Sequence, residues 1–179
     1  MIYLVRHGEA SAGWGQHPDP GLSEKGQAQA AAVARTLQSN DIQHVLTSPM
    51  QRCQETAATF ASANQFQLII EPRVTEIPTP PDIENRVIWL RNLMSGNWAA
   101  APDLIQNWRR TLIETISALP DNTVVFSHFI AINAVVGHLE GYDAVTVFRP
   151  DHCSVTQVQP TKSGLKLIIR GEEAGTKVL

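Results

Sequence analysis

The chain has 179 residues, a mass of 19.7 kDa and a formal net charge of -3. With 43% hydrophobic and 17% charged residues it reads as one globular domain, not a disordered chain, and it is long enough to bury a core without disulfides or a structural metal. No block of Lys and Arg stands out, which argues against a nucleic-acid binder but leaves a few Arg residues free to converge on an anionic substrate.

Cys53 and Cys153 lie far apart in sequence. They form neither a disulfide framework nor a CxxC metal pattern, so two reduced thiols are expected. The N-terminal run Met1 to Val5 meets Arg6 and His7 at once, with no basic segment or long apolar stretch of a signal peptide. No apolar run is long enough to span a membrane. A cytoplasmic protein without membrane partners is the expectation.

In chain order, Ile2 to Val5 reads as a strand buried on both faces, as in a parallel sheet. Ala10 to Leu22 carries Gly13, Gly15, Pro18, Pro20 and Gly21 and reads as a loop. Ser23 is placed to cap a helix from Glu24 to Gln38, with Ala30, Val33, Ala34 and Leu37 at helical spacing. His44 to Thr47 is the second strand. Ser48-Pro49 opens the next helix, with Pro49 at its first position, running to about Ala63. Phe66 to Ile70 is the third strand, followed by a Pro-rich loop. Two helical stretches, Ile83–Met94 and Pro102–Leu119, flank Gly96-Asn97-Trp98. Thr123 to Phe126 is the fourth strand and Ile130 to Leu139 a short apolar helix. Ser154–Gln159 and Leu165–Ile169 alternate and form a hairpin at a sheet edge. The alternation predicts a single three-layer α/β/α sandwich over 1–179, mostly parallel with a C-terminal β-hairpin, and a helical lid-like insertion at about 77–119. The pattern sets no oligomeric state, although an edge hairpin offers a strand for pairing across a dimer.

Catalytic loops of such sheets lie at the carboxyl ends of the strands. Arg6-His7-Gly8-Glu9 follows the first strand, Ser48-Pro49-Met50-Gln51-Arg52 the second, with Glu55 one turn on, and Ser127-His128 the fourth. If those strands are neighbours, two His and two Arg share one cleft. Guanidinium forks match phosphate geometry. Gly8 would let the backbone approach a ligand, and the Ser48-Pro49 helix start would add N–H groups and a positive dipole end. The set suits a phosphate dianion, with one His attacking phosphorus and the other stabilising the equatorial oxygens. Two His and a Glu would also suit zinc, but two adjacent Arg repel a cation, so no metal and no cofactor are expected.

Leu4-Val5-Arg6-His7-Gly8-Glu9 resembles the signature of the histidine phosphatase superfamily, the phosphoglycerate mutase-like proteins. Leu22 to Ala30 is similar to the family's Leu-Thr-x-x-Gly-x-x-Gln-Ala helix start. Ser48 to Ala57 is similar to its Ser-Pro-x-x-Arg-x-x-Glu-Thr-Ala segment, and Val125 to His128 to the strand that delivers its second His. The four motifs keep family order from residue 1 to about 137. The resemblance implies His7 as the nucleophile that forms a phosphohistidine, with Arg6, Arg52 and His128 binding the phosphoryl group. It also implies a general acid in the loop after the third strand. Glu71 and Glu76 are the candidates; Glu76, deeper in the Pro-rich loop, is preferred. One departure stands out: Phe129-Ile130 follows His128 where the family has Gly, so an aromatic ring is expected to wall the pocket.

Plainer roles compete at several positions. Arg52 could pair with Glu55 on a helix surface, and Glu55 would then orient a neighbour. Glu9 could support a neighbour or simply be exposed. His17, His44, His138 and His152 sit in no motif, though His17 lies in a loop that could touch substrate. Trp89 and Leu93 share a helical face and are expected in the core, with Trp98 either core or lid. The expected function is metal-independent phosphomonoester hydrolysis on a small molecule or a phosphoprotein. The alternatives are phosphoglycerate mutase-type phosphoryl transfer and a non-catalytic phosphoprotein-binding domain.

Overall fold

A computed structural model describes residues 1–13, 16–162 and 164–175. The helices and strands, in chain order, are β1 (Ile2–Arg6), α1 (Glu24–Leu37), β2 (His44–Thr47), α2 (Gln51–Ala63), β3 (Leu68–Ile70), α3 (Arg86–Met94), α4 (Asp103–Ser117), β4 (Thr123–Ser127), α5 (Phe129–Glu140), β5 (Val155–Thr161) and β6 (Gly164–Ile169). They form the three-layer α/β sandwich. The sheet order is β3-β2-β4-β1-β5-β6. The first four positions run parallel, and β5 and β6 are antiparallel.

Strand alternation divides the core in two. Ile2, Leu4 and Val125 face a cluster with Leu112 and Ile116 of α4 and Ile130, Ala134 and Val135 of α5. Tyr3, Val5, Val124 and Phe126 face the opposite cluster, with Val33 and Leu37 of α1 and Ala57 and Phe60 of α2. A strand covered on both faces must be apolar at every position, which is why Ile2 to Val5 lacks polar residues.

Ser23 caps α1 as its sequence position predicts, its Oγ accepting from the Gly26 N–H at 3.0 Å. Helix α2 starts at Gln51 with Met50 as its cap, two residues after Pro49. Its first N–H donates to the Asp19 carboxylate at 2.9 Å, so a loop acid closes the end expected to greet phosphate.

The 77–119 stretch splits by role. Leu90, Trp98, Ile105, Leu112 and Ile116 are core residues, and Trp89 and Leu93 pack against them. Trp98 is 0% exposed, which fits the core alternative and not the lid. Helix α4 packs on α5 as a layer helix. Of this stretch only Ile77 and Arg86 reach the cleft described below, among the described residues. Both cysteines are free. Among the described residues no helix is long and apolar enough to cross a membrane.

Candidate active site

Strands β1, β4 and β2 are neighbours, so their carboxyl ends deliver Arg6-His7, Ser127-His128 and Thr47-Ser48 to one place. A cleft of about 750 Å³ opens there, lined by Arg6, His7, Arg52, Glu76, Arg86 and His152 among others.

His7 is set up as a neutral base. Its Nδ1–H donates to the Gly8 carbonyl at 2.7 Å, and its Nε2 accepts from Arg52 Nε at 3.2 Å. One nitrogen therefore carries the proton and the other a lone pair. Burial, then the Arg52 charge, holds this imidazole well below its ordinary range, while the Gly8 bond works in the other direction. Arg52 Nη2 also donates to His128 Nδ1 at 3.2 Å, which leaves Nε2–H of His128 to donate to Ser48 Oγ at 2.7 Å. His128 is 0% exposed and is likewise held well below the ordinary range, first by burial and then by His7 and Arg52. The two rings meet edge to face at 5.3 Å.

The structure separates the Arg52 readings. Arg52 is 7% exposed and spans both imidazoles. Glu55 instead accepts from the Leu22 N–H at 2.7 Å and from Gln51 Nε2 at 2.7 Å, holding the loop before α1. The ring nitrogens a zinc ion would need are filled by guanidinium donors.

Glu76 and Glu71 part company. Glu76 lines the cleft, with Oε2 3.7 Å from His128 Nδ1 and 4.0 Å from Arg52 Nη2. Burial raises its carboxyl above the ordinary range, against the lowering effects of the Ile77 N–H and of Arg52. Glu71 lies outside the cleft. It caps the turn Pro72–Val74 and pairs with Arg73 at 2.6 Å, which holds its carboxyl low.

Two expected phosphate contacts have other employment. Gly8 donates its N–H to Thr56 Oγ1 at 3.0 Å, and a Cβ there would lie 2.6 Å from the Gly26 carbonyl oxygen. Glycine is needed so that the turn after β1 can touch α1, and its N–H is already committed. Ser48 is fully buried and stands behind His128, accepting from the Met50 N–H at 3.3 Å. It meets His128 Nε2 from outside the cleft. Glu9 lines the rim and is held by Ser23 Oγ and Lys25 Nζ at 2.9 and 2.8 Å. Phe129 does what its position promised: its ring lines the cleft, with the Arg6 guanidinium 5.3 Å above it. The same ring is part of the core.

The profile of the histidine phosphatase superfamily (branch 1) matches residues 2–171. The chain belongs to this family. A Photorhabdus laumondii protein named "Probable phosphoglycerate mutase GpmB" is 30% identical over 184 residues, covering 88% of this chain and 84% of its own. Among solved structures, Bacillus stearothermophilus YhfR aligns with a TM-score of 0.77 at 18% identity, covering 97% of each chain. The alpha-ribazole phosphatase of Shigella flexneri aligns at 0.76 and 21% identity, covering 98% of each. Those two likenesses speak to fold.

The cleft also holds residues that no motif marks. His152 precedes β5, which runs antiparallel to β1, so the start of β5 lies beside the end of β1. That topology was the available signal. Arg86 arrives at the first turn of α3 after a long Pro-rich loop, and nothing in its spacing points to the cleft. His17, in the loop before α1, also lines the rim.

Proposed function

We propose that the protein hydrolyses phosphomonoesters without a metal ion, in two steps through a phosphohistidine on His7. The observation that carries the reading is the hydrogen bonding of His7: Nδ1–H tied to the Gly8 carbonyl, and the Nε2 lone pair beside the Arg52 guanidinium. In the first step Nε2 attacks phosphorus, the bond from phosphorus to the leaving oxygen breaks, and Glu76 gives that oxygen its proton. In the second, Glu76 takes a proton from water. The water oxygen bonds to phosphorus, the N–P bond breaks, and phosphate leaves with His7 neutral again.

Arg52 holds imidazole lone pairs in the free protein. A phosphoryl oxygen accepts from the same donors more strongly because it is charged. Arg6 and Arg52 then hold the transferring group, and His128 joins them in its Nδ1–H tautomer, with the Ser48 hydroxyl turned to donate to Nε2. The charge of that group is the main thing catalysis must stabilise. Arg86 adds a third guanidinium to the cleft. It sits at the first turn of α3, where the helix dipole disfavours a cation. An anionic group on the leaving part of a small-molecule substrate would relieve that arrangement.

A mutase reading draws on the name of the 30%-identical relative. The broad cleft with exposed His17 and Gln16 at its rim admits water to the phosphohistidine and favours hydrolysis. A non-catalytic phosphoprotein-binding role would fit a site lacking a catalytic side chain, and His7, His128, Glu76, Arg6 and Arg52 all line or border this one. The test is turnover of p-nitrophenyl phosphate and of a phosphomonoester panel in EDTA, scored for released phosphate and for isomerised ester. Released phosphate is expected. Full loss of activity in EDTA, restored by zinc or magnesium, would remove the metal-free mechanism, and isomerised ester without phosphate would favour the mutase.

A further inference from the structure

Arg6 is gripped by one short segment, residues 150–154. Its backbone N–H donates to the Ser154 carbonyl at 3.3 Å, and its carbonyl accepts from the Cys153 N–H at 2.9 Å. Its Nη1 donates to the Pro150 carbonyl at 2.9 Å and its Nη2 to His152 Nε2 at 3.0 Å. Three of these four bonds use the segment's backbone and would survive any side chain there. The fourth depends on the identity of residue 152. Cys153 holds a left-handed backbone, φ 60°, unusual for a residue other than glycine. The bend lies immediately after His152, whose ring centroid is 5.9 Å from that of His7.

We propose that His152 is a positioning residue for phosphoryl capture: its Nε2 fixes the guanidinium of Arg6 beside His7. The inference rests on the reading of Arg6 as a phosphoryl-binding residue.

Three contacts confine the guanidinium: the Pro150 carbonyl, the Phe129 ring and the His152 imidazole. A free arginine loses considerable rotamer freedom when it binds an anion. One already confined loses less, so more of the interaction appears as affinity. The imidazole must be neutral to accept from a cation. Burial, then the Arg6 charge, lowers its pKa to about 4, so at neutral pH Nε2 offers its lone pair. Its Nδ1 lies 3.8 Å from Asp151 Oδ1, too far for a hydrogen bond. The link to Arg6 is thus the ring's principal polar contact.

The experiment compares His152→Phe, which keeps a ring and removes the acceptor, with His152→Gln, which restores an acceptor near the Nε2 position. Binding of inorganic phosphate is read by calorimetry, beside KM and kcat on p-nitrophenyl phosphate. Losing a hydrogen bond to a charged group should weaken phosphate binding about tenfold or more in His152→Phe. His152→Gln should stay within about threefold of wild type by the same bond's retention. In an Arg6→Lys background His152→Phe should add nothing, because an ammonium presents no fork to be held. Thermal melting checks folding, and His152→Leu replaces His152→Phe if the latter melts early. Equal phosphate affinity in wild type, Phe and Leu variants would overturn the proposal, as would weakening that His152→Gln shares or that multiplies with Arg6→Lys. Wild type that neither binds phosphate nor turns over ester would overturn the reading of the whole site.

Discussion

At the inner wall of the cleft, His7 and Arg52 line the surface with His128 and Ser48 behind them, all buried and bonded one to the next, whereas along the rim His17, Gln16 and Arg86 each hold a single side-chain hydrogen bond among the described residues. The inner wall keeps neutral imidazoles next to a permanent cation, an arrangement that burial makes costly unless each donor meets an acceptor. Its residues therefore depend closely on one another. The rim is solvated and can change one side chain at a time. The inner wall suits the chemistry shared by many phosphomonoesters, and the rim suits the choice among them.

Substitutions at the inner wall should reduce rate broadly, and those at the rim should change preference. The largest effect is expected at Glu76. Glu76→Gln should lower turnover of an alkyl phosphate by about 10²–10⁴-fold. The loss should be smaller on p-nitrophenyl phosphate, whose leaving group needs little protonation. The pH profile follows from the two shifts. His7 must be neutral, so activity rises as pH climbs through its lowered pKa. Glu76 must be protonated, so activity falls as pH climbs through its raised one. Glu76→Gln should erase the alkaline limb. A leaving-group pattern seen in Glu71→Gln and not in Glu76→Gln would reverse the assignment.

Next comes Arg52→Lys, which keeps charge and loses the fork shared between the imidazoles. A loss of roughly 10²-fold in kcat/KM is expected on every substrate, in line with removing one preorganised donor. A loss confined to some substrates would move Arg52 to the rim side of the comparison.

At the rim, Arg86→Gln should raise KM about tenfold for phosphomonoesters with a second anionic group and leave neutral ones unchanged, as expected for one charged hydrogen bond. A uniform change across both groups would show that Arg86 serves the phosphoryl site. Phe129 straddles the two regions, being 8% exposed in the core and under Arg6. Phe129→Gly should shift the order of preferred substrates, and thermal unfolding should show a loss of about 3 kcal/mol. Unchanged selectivity with lost stability would assign the ring to the core alone.

The same division governs what the sequence reveals. Arg6 and His7 at the end of β1 and His128 just past β4 are legible because a polar side chain there has no place in a core, and Arg52 because it opens the helix that follows β2. Ser23 is legible because a cap acts on the residues beside it. The uses of Gly8 and Ser48 are not, since each depends on a partner distant in sequence: Gly26 against the missing Cβ, and His128 against the hydroxyl. Pro49 has the right chemistry for a first helical residue, yet α2 begins at Gln51, where Asp19 from another loop supplies the cap. His152 carries no local signal, because only pairing of an antiparallel strand with β1 brings it beside Arg6.

The account stands on attack by His7 Nε2, and the most direct measurement is to trap the intermediate. Rapid quench of a turnover with radiolabelled phosphomonoester should leave label on the protein. An N–P bond to histidine persists in alkali and is lost on warming in acid, the reverse of a serine phosphate. Label with that profile, absent from His7→Ala, is the predicted result; label that survives acid, or that His7→Ala retains, would contradict it.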